Sequence, residues 1–187
     1  MDIELAVAVL GVACYVAAAL LALVSLLGIR TRGERASFAL LAVGGAALAG
    51  VLVFGGARCA SISVFNRFDA MACYALALSG AYLLLTAFRY TRGIGGIIIP
   101  YAAIVLLCGI SALGKQVALP VPVQGPWLMA HVLTAYAAYG VFTLASICAA
   151  VILPQSLSLC GCNFPRRVFT WFATVASNRF FMITCLL

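Results

Sequence analysis

The feature that most constrains this chain is a series of five apolar runs, each long enough to cross a lipid bilayer. They cover residues 3–29, 36–54, 70–88, 97–113 and 127–153. About 20 apolar residues in a helix span a hydrocarbon core about 30 Å thick. Inside that core no water can satisfy a peptide group, so each run has to become a helix. With 66% of the residues hydrophobic and 8% charged, no stretch is left for a separate soluble domain. The expected fold class is therefore an all-α polytopic membrane protein with about five transmembrane helices and a short C-terminal tail.

The net charge of +7 would point to nucleic acid in a soluble protein. Here the basic residues sit in short connections between apolar runs, where they report topology instead. The connections after the first and third runs, together with the tail, hold Arg30, Arg32, Arg35, Arg89, Arg92, Arg166, Arg167 and Arg179. The other side holds Arg58, Arg67 and Lys115. Eight against three places the N-terminus, and the start of the fifth helix, outside the cytoplasm. The partner this pattern implies is the lipid bilayer, and no nucleic acid. Asp2 and Glu4 stand where a signal peptide would have a basic region, so the first run reads as a retained span.

Within the spans, Ala42, Ala46 and Gly50 recur at four-residue spacing, with Gly45 and Ala49 beside them. Such a stripe either lets a second helix approach closely or is only part of an alanine-rich span. Pro100 is expected in the first turn of the fourth helix, where it is tolerated, after a loop-like Gly93–Gly96. Cys14, Cys73, Cys108 and Cys148 lie in apolar segments and read as small hydrophobes, not a disulfide framework. Cys160 and Cys162 form a lone C-x-C, a weak metal signal. Pro154 is expected to stop the fifth helix, dividing the chain into a membrane domain, 1–153, and a divergent tail, 154–187. Residues 168–187 allow either an interfacial helix or a sixth span. Arg179 opposes both, because it interrupts the apolar face and a central arginine costs roughly 2.5–3.5 kcal/mol in a membrane helix.

The stretch that carries chemistry opens the fifth helix: Gly125–Pro126–Trp127–Leu128–Met129–Ala130–His131–Val132. Proline suits the first helical turn, and an indole suits the membrane–water interface. His131 is the one histidine of the chain. It follows Trp127 by one turn on the same face, which Ala135 and Tyr139 continue. An imidazole at such a lip can ligate haem iron, or it can simply close a polar pocket.

This stretch, with Tyr136, Ala137, Ala138, Tyr139 and Phe142 after it and Leu119–Pro120–Val121–Pro122 before it, resembles the motif of CcsA/ResC-type cytochrome c biogenesis proteins. Asn66–Arg67–Phe68–Asp69 is similar to the Asn-x-Tyr-Glu patch that opens a membrane helix in that family, with Ser63 where a proline would fall. A related haem-biosynthesis-accessory branch shares such features. The resemblance implies a haem-handling component of cytochrome c maturation, integral to the bacterial cytoplasmic membrane or a thylakoid equivalent. It implies haem as cofactor, His131 as axial ligand to the iron, and Trp127 and Tyr139 near the macrocycle. Its implied partners are apocytochrome c and a ResB/CcsB-type membrane protein. The resemblance covers about residues 1–153. The tryptophan-rich segment and later histidines of the family do not follow, so the expectation is a truncated or frame-disrupted member, a haem-binding scaffold and not a complete enzyme.

Two other classes compete. A small transporter or structural membrane subunit would need only packed helices, and the scarcity of ionisable groups in the spans disfavours an ion-coupled carrier. A quinone-site subunit using His131 and Tyr139 is the third. The topology is directly testable: reporter fusions after Gly33 and Gly93 should read cytoplasmic and one after Val121 external, and the reverse pattern would overturn the orientation.

Overall fold

The computed structural model describes residues 2–26, 33–58, 66–88, 94–113 and 126–159. They form α1 (Asp2–Leu26), α2 (Gly33–Arg58), α3 (Arg67–Phe88), α4 (Gly95–Gly109) and α5 (Pro126–Leu159), with one 3-10 turn, Ile110–Ala112, closing α4. Each apolar run has become one helix long and apolar enough to cross a membrane, and the described residues contain no strand. The chain is an all-helical, polytopic membrane protein.

Four helices close a ring. α1 packs along α2 and α4, and α3 packs along α4 and α2, while α5 lies outside the ring against α3. Glycine contacts fix the directions. Gly33 sits against Leu21 and Ser25, Gly96 against Leu26, and Gly95 against Tyr82, so these helix ends meet on one side of the bundle. On the other side Gly109 approaches Phe68 and Met71, and Asn66 at the start of α3 bonds to Ala112 at the end of α4. Gly140 of α5 meets Ala77 and Leu78, and Tyr136 lies within electrostatic reach of Cys73. With five alternating spans, α5 runs parallel to α3. It therefore starts on the side that carries the N-terminus, as the alternation of spans requires.

Lipid tails are as apolar as leucine, so helices in a membrane associate through close packing and a few hydrogen bonds. The most extensive packing joins α1 to α2. A Cβ on Gly44 would lie 2.9 Å from Cys14 Cβ and 3.1 Å from the Gly11 carbonyl oxygen, and one on Gly11 would lie 2.9 Å from Leu48 Cγ. Leu41 and Leu48 flank Gly44 and are both buried. Of the two readings of the Ala42–Ala46–Gly50 stripe, the structure favours the alanine-rich span: Ala42 and Ala46 are exposed, and Gly50 has nothing within 4 Å of where its Cβ would be. Gly45 faces Tyr15 and Leu76. The diagonal of the ring is tied by one hydroxyl pair. Ser79 Oγ donates to the Ala75 carbonyl at 2.7 Å, which leaves the fully buried Tyr15 phenol to donate to Ser79 at 2.7 Å.

Two prolines and one glycine stretch behave differently from expectation. α4 begins at Gly95, so Pro100 is inside the helix and not in its first turn. The carbonyl that loses its i+4 donor belongs to Gly96, the second residue of the helix. Gly95 and Gly96 are helical and buried, not loop-like, because Tyr82 and Leu26 need the space that a side chain would take. Pro154 does not end α5, which continues to Leu159. Its 34 residues measure about 51 Å at 1.5 Å each, well beyond a core of about 30 Å, so the proline falls where the helix is leaving the hydrocarbon. Cys14, Cys73, Cys108 and Cys148 are free thiols, as expected. The alternatives drawn for residues 168–187, and the Cys160–Cys162 pair, lie outside the described residues.

The packing makes a paired prediction. Gly44→Leu should lower stability by about 1–3 kcal/mol or more, the usual range for overpacking, while Gly50→Leu should change it little. Unfolding midpoints in detergent micelles, with the parent beside both variants, measure the difference.

Candidate functional site

α5 starts at Pro126 as the sequence implied, and its relation to α3 decides where the candidate ligands point. Gly140 is the residue pressed into the seam, since a Cβ there would lie 2.8 Å from both the Ala77 carbonyl carbon and the Leu78 nitrogen. His131 precedes it by nine residues, which at 3.6 residues per turn is about half a turn away. The imidazole therefore faces directly away from the bundle, and it is exposed. Trp127 shares that outward direction and is 88% exposed. Tyr139 is 61% exposed and lies two turns deeper, about 80° round the helix from His131. The three residues thus share the uncovered surface of α5, but only Trp127 and His131 form one patch.

That patch is flat. Ala130, Thr134, Ala137 and Ala138 surround His131 on the exposed surface, and Thr134 turns its hydroxyl inward to the carbonyls of Ala130 and His131, each at 2.8 Å. The imidazole makes no hydrogen bond or ion pair among the described residues, so both ring nitrogens remain for a ligand. A planar apolar group such as haem fits these residues on one side: one nitrogen donor, an indole at the edge, and small side chains beneath. The described residues hold no group of three or more His, Cys, Asp or Glu side chains that could take a bare metal ion.

The second patch singled out by sequence has a structural explanation. Asn66 caps α3: its carbonyl accepts from the Ala70 N–H at 2.9 Å, and its Oδ1 accepts from the Phe68 N–H at 3.4 Å. Its amide then donates to the Ala112 carbonyl at 3.0 Å, filling an acceptor that the end of α4 leaves open. One buried side chain thereby locks two helix ends together on the side where His131 lies. Asp69 and Phe68 complete the turn, Phe68 buried beneath Gly109.

No motif in the sequence groups Tyr74, Tyr101 and Thr143, yet α3, α4 and α5 bring their hydroxyls together. Tyr74 Oη is 2.5 Å from Thr143 Oγ1 and 3.5 Å from Tyr101 Oη. The only signal available was the presence of hydroxyls in otherwise apolar spans, and nothing in one span names its partner in another. Compared with protein-family models, curated proteins and solved structures, the chain matches none.

Asn66→Ala should remove both the cap and the tie to α4, costing about 1–3 kcal/mol. Hydrogen exchange of the first turn of α3 and the last turn of α4 should accelerate together. Acceleration at α3 alone would show that the Ala112 bond contributes nothing.

Proposed function

We propose that this protein is a haem-presenting membrane component of cytochrome c maturation, with His131 as an axial ligand. One observation carries the reading: the single imidazole of the chain stands exposed and unengaged at the lip of a membrane helix, beside an exposed indole. A histidine kept for packing would be buried or spent on a hydrogen bond. The resemblance of Gly125–Val132 and Asn66–Asp69 to CcsA/ResC-type proteins supports the same reading, as does the junction by which Asn66 steadies that side of the bundle.

In this reading the neutral His131 ring holds the iron, and Trp127 packs at the macrocycle edge. Ala130, Thr134 and Ala138 leave a level surface on which the ring can lie. Haem supplies the iron and the vinyl groups that become thioethers to cysteines of an apocytochrome c. The protein supplies orientation: α5 is pinned to α3 through Gly140 and Leu144, so the opposite side stays open to an incoming chain. The arginine distribution puts this surface outside the cytoplasm, where such a chain would meet it. A ResB/CcsB-type partner would cover what α5 leaves bare.

Haem content of the purified membrane protein tests the reading. His131→Ala should insert normally, since a span is held by its whole length, and should lose most of its haem. Added imidazole should restore part of it by filling the vacated position. Tyr139→Phe should retain haem. Equal haem content in the parent and His131→Ala proteins would remove His131 from the mechanism.

A further inference from the structure

α4 and α5 both pack on α3 but touch each other only marginally. α3 therefore forms the floor of a groove that opens to the lipid between them. Into this groove the fold gathers phenols from three helices: Tyr74 on the floor, Tyr101 on the α4 wall, and Tyr136 and Tyr139 on the α5 wall, with Thr143 one turn beyond Tyr139. Tyr101 and Tyr139 are 39% and 61% exposed, and Tyr136 lies within electrostatic reach of Tyr139. Tyr74 is seven residues into α3, and Tyr101 is eleven from Ala112. At 1.5 Å per residue the hydroxyls sit roughly 10–17 Å below the membrane surface, near the middle of a core of about 30 Å.

The hydroxyls form a chain with a defined direction. Thr143 donates to the Tyr139 carbonyl at 2.8 Å, so its oxygen can only accept from Tyr74 at 2.5 Å. The Tyr74 proton is then committed, which makes Tyr101 the donor in the last link, at 3.5 Å. That distance is at the limit for a hydrogen bond between hydroxyls, where 2.7–2.8 Å is usual. The chain therefore ends in a phenol whose proton is poorly used, on the groove wall, in a medium with no water to take it. Such a donor pairs readily with a carbonyl oxygen delivered from the lipid phase. Phospholipid head groups are too polar to reach this depth. A ligand that fits must be planar, to lie among phenol rings, must carry a carbonyl acceptor, and must be apolar enough to travel in the bilayer.

We propose that this groove binds the head group of an isoprenoid quinone, with Tyr101 donating to a quinone carbonyl. The site is separate from the His131 patch and does not depend on haem binding there. Tyr74 and Thr143 position the donor by holding the hydroxyl chain in one direction. The quinone ring lies against the phenols of the groove, and its prenyl tail runs out between α4 and α5.

Photolabelling the full chain in phosphatidylcholine–phosphatidylglycerol vesicles with an azido-ubiquinone tests the assignment. Labelling should saturate, be competed by unlabelled ubiquinone, and map to peptides containing Tyr74, Tyr101 or Tyr139. Tyr101→Phe keeps the ring and loses the proton, and should weaken labelling about tenfold. Cys108→Trp places an indole on the same face of α4 as Tyr101, two turns away at an exposed position, and should block labelling while leaving the hydroxyl chain whole. Labelling that does not saturate, or that spreads over the lipid-facing surface without competition, would overturn the proposal. So would parent-like labelling in both variants.

Discussion

Hydrocarbon offers a peptide group no hydrogen-bond partner, and every feature of this chain follows from meeting that constraint. Each apolar run closes its own backbone bonds by becoming a helix, but the same constraint deprives the helices of a hydrophobic reason to associate. What remains is contact distance and a few hydroxyls. Gly11 and Gly44 let α1 and α2 approach until a single added methyl would collide, on Gly44 with Cys14 Cβ and the Gly11 carbonyl, on Gly11 with the Leu48 side chain. Gly140 does the same for α5 on α3. The Tyr15–Ser79 bond crosses the ring at a point where neither hydroxyl could find water. Measured bonds of this kind in membrane proteins average only about 0.6 kcal/mol, so the glycine contacts carry more of the cohesion than the hydroxyls do.

The helices were legible because length and apolarity leave a spanning chain no other structure. Their ends were less so. α2 takes in Gly33, Glu34 and Arg58, and α5 continues through Pro154, because polar residues and a proline can remain helical where a span emerges into water. The packing phase of α2 could not be read at all. In a helix this rich in alanine and glycine, the row through Ala42, Ala46 and Gly50 looks as smooth as the row through Leu41, Gly44 and Leu48. Only the shape of α1, with Gly11 opposite Gly44, selects the second. A one-helix pattern contains no information about that choice.

The candidate site divides in the same way. Pro126, Trp127 and His131 are local: a helix start, an interface indole and an imidazole one turn on can be recognised from their spacing. Their outward direction is not local, since it follows from Gly140 choosing the seam nine residues later. Asn66 stands out in sequence through its neighbours, but its physical role is a bond to Ala112, which belongs to another helix. The Thr143–Tyr74–Tyr101 chain is invisible in sequence for the stronger reason that its three members lie on three spans.

The position of α5 reconciles these observations. The ring helix α4 has 44% of its apolar window buried, against 17% for α5. α5 uses one narrow line, through Gly140, Leu144 and Val151, to hold its place. Much of the rest of its described surface is left to lipid or to a ligand. Its outer face carries His131 at the surface of the membrane, and its flank carries Tyr136, Tyr139 and Thr143 deeper in. A molecule moving within the bilayer can reach that flank without any part of the ring opening, whereas a buried site would need the Gly11–Gly44 contact or the Tyr15–Ser79 bond to yield first. Rigidity and access are thus assigned to different helices. The ring fixes α3, α3 fixes the line on which α5 stands, and the chemistry-bearing side chains occupy the two directions that this line leaves free.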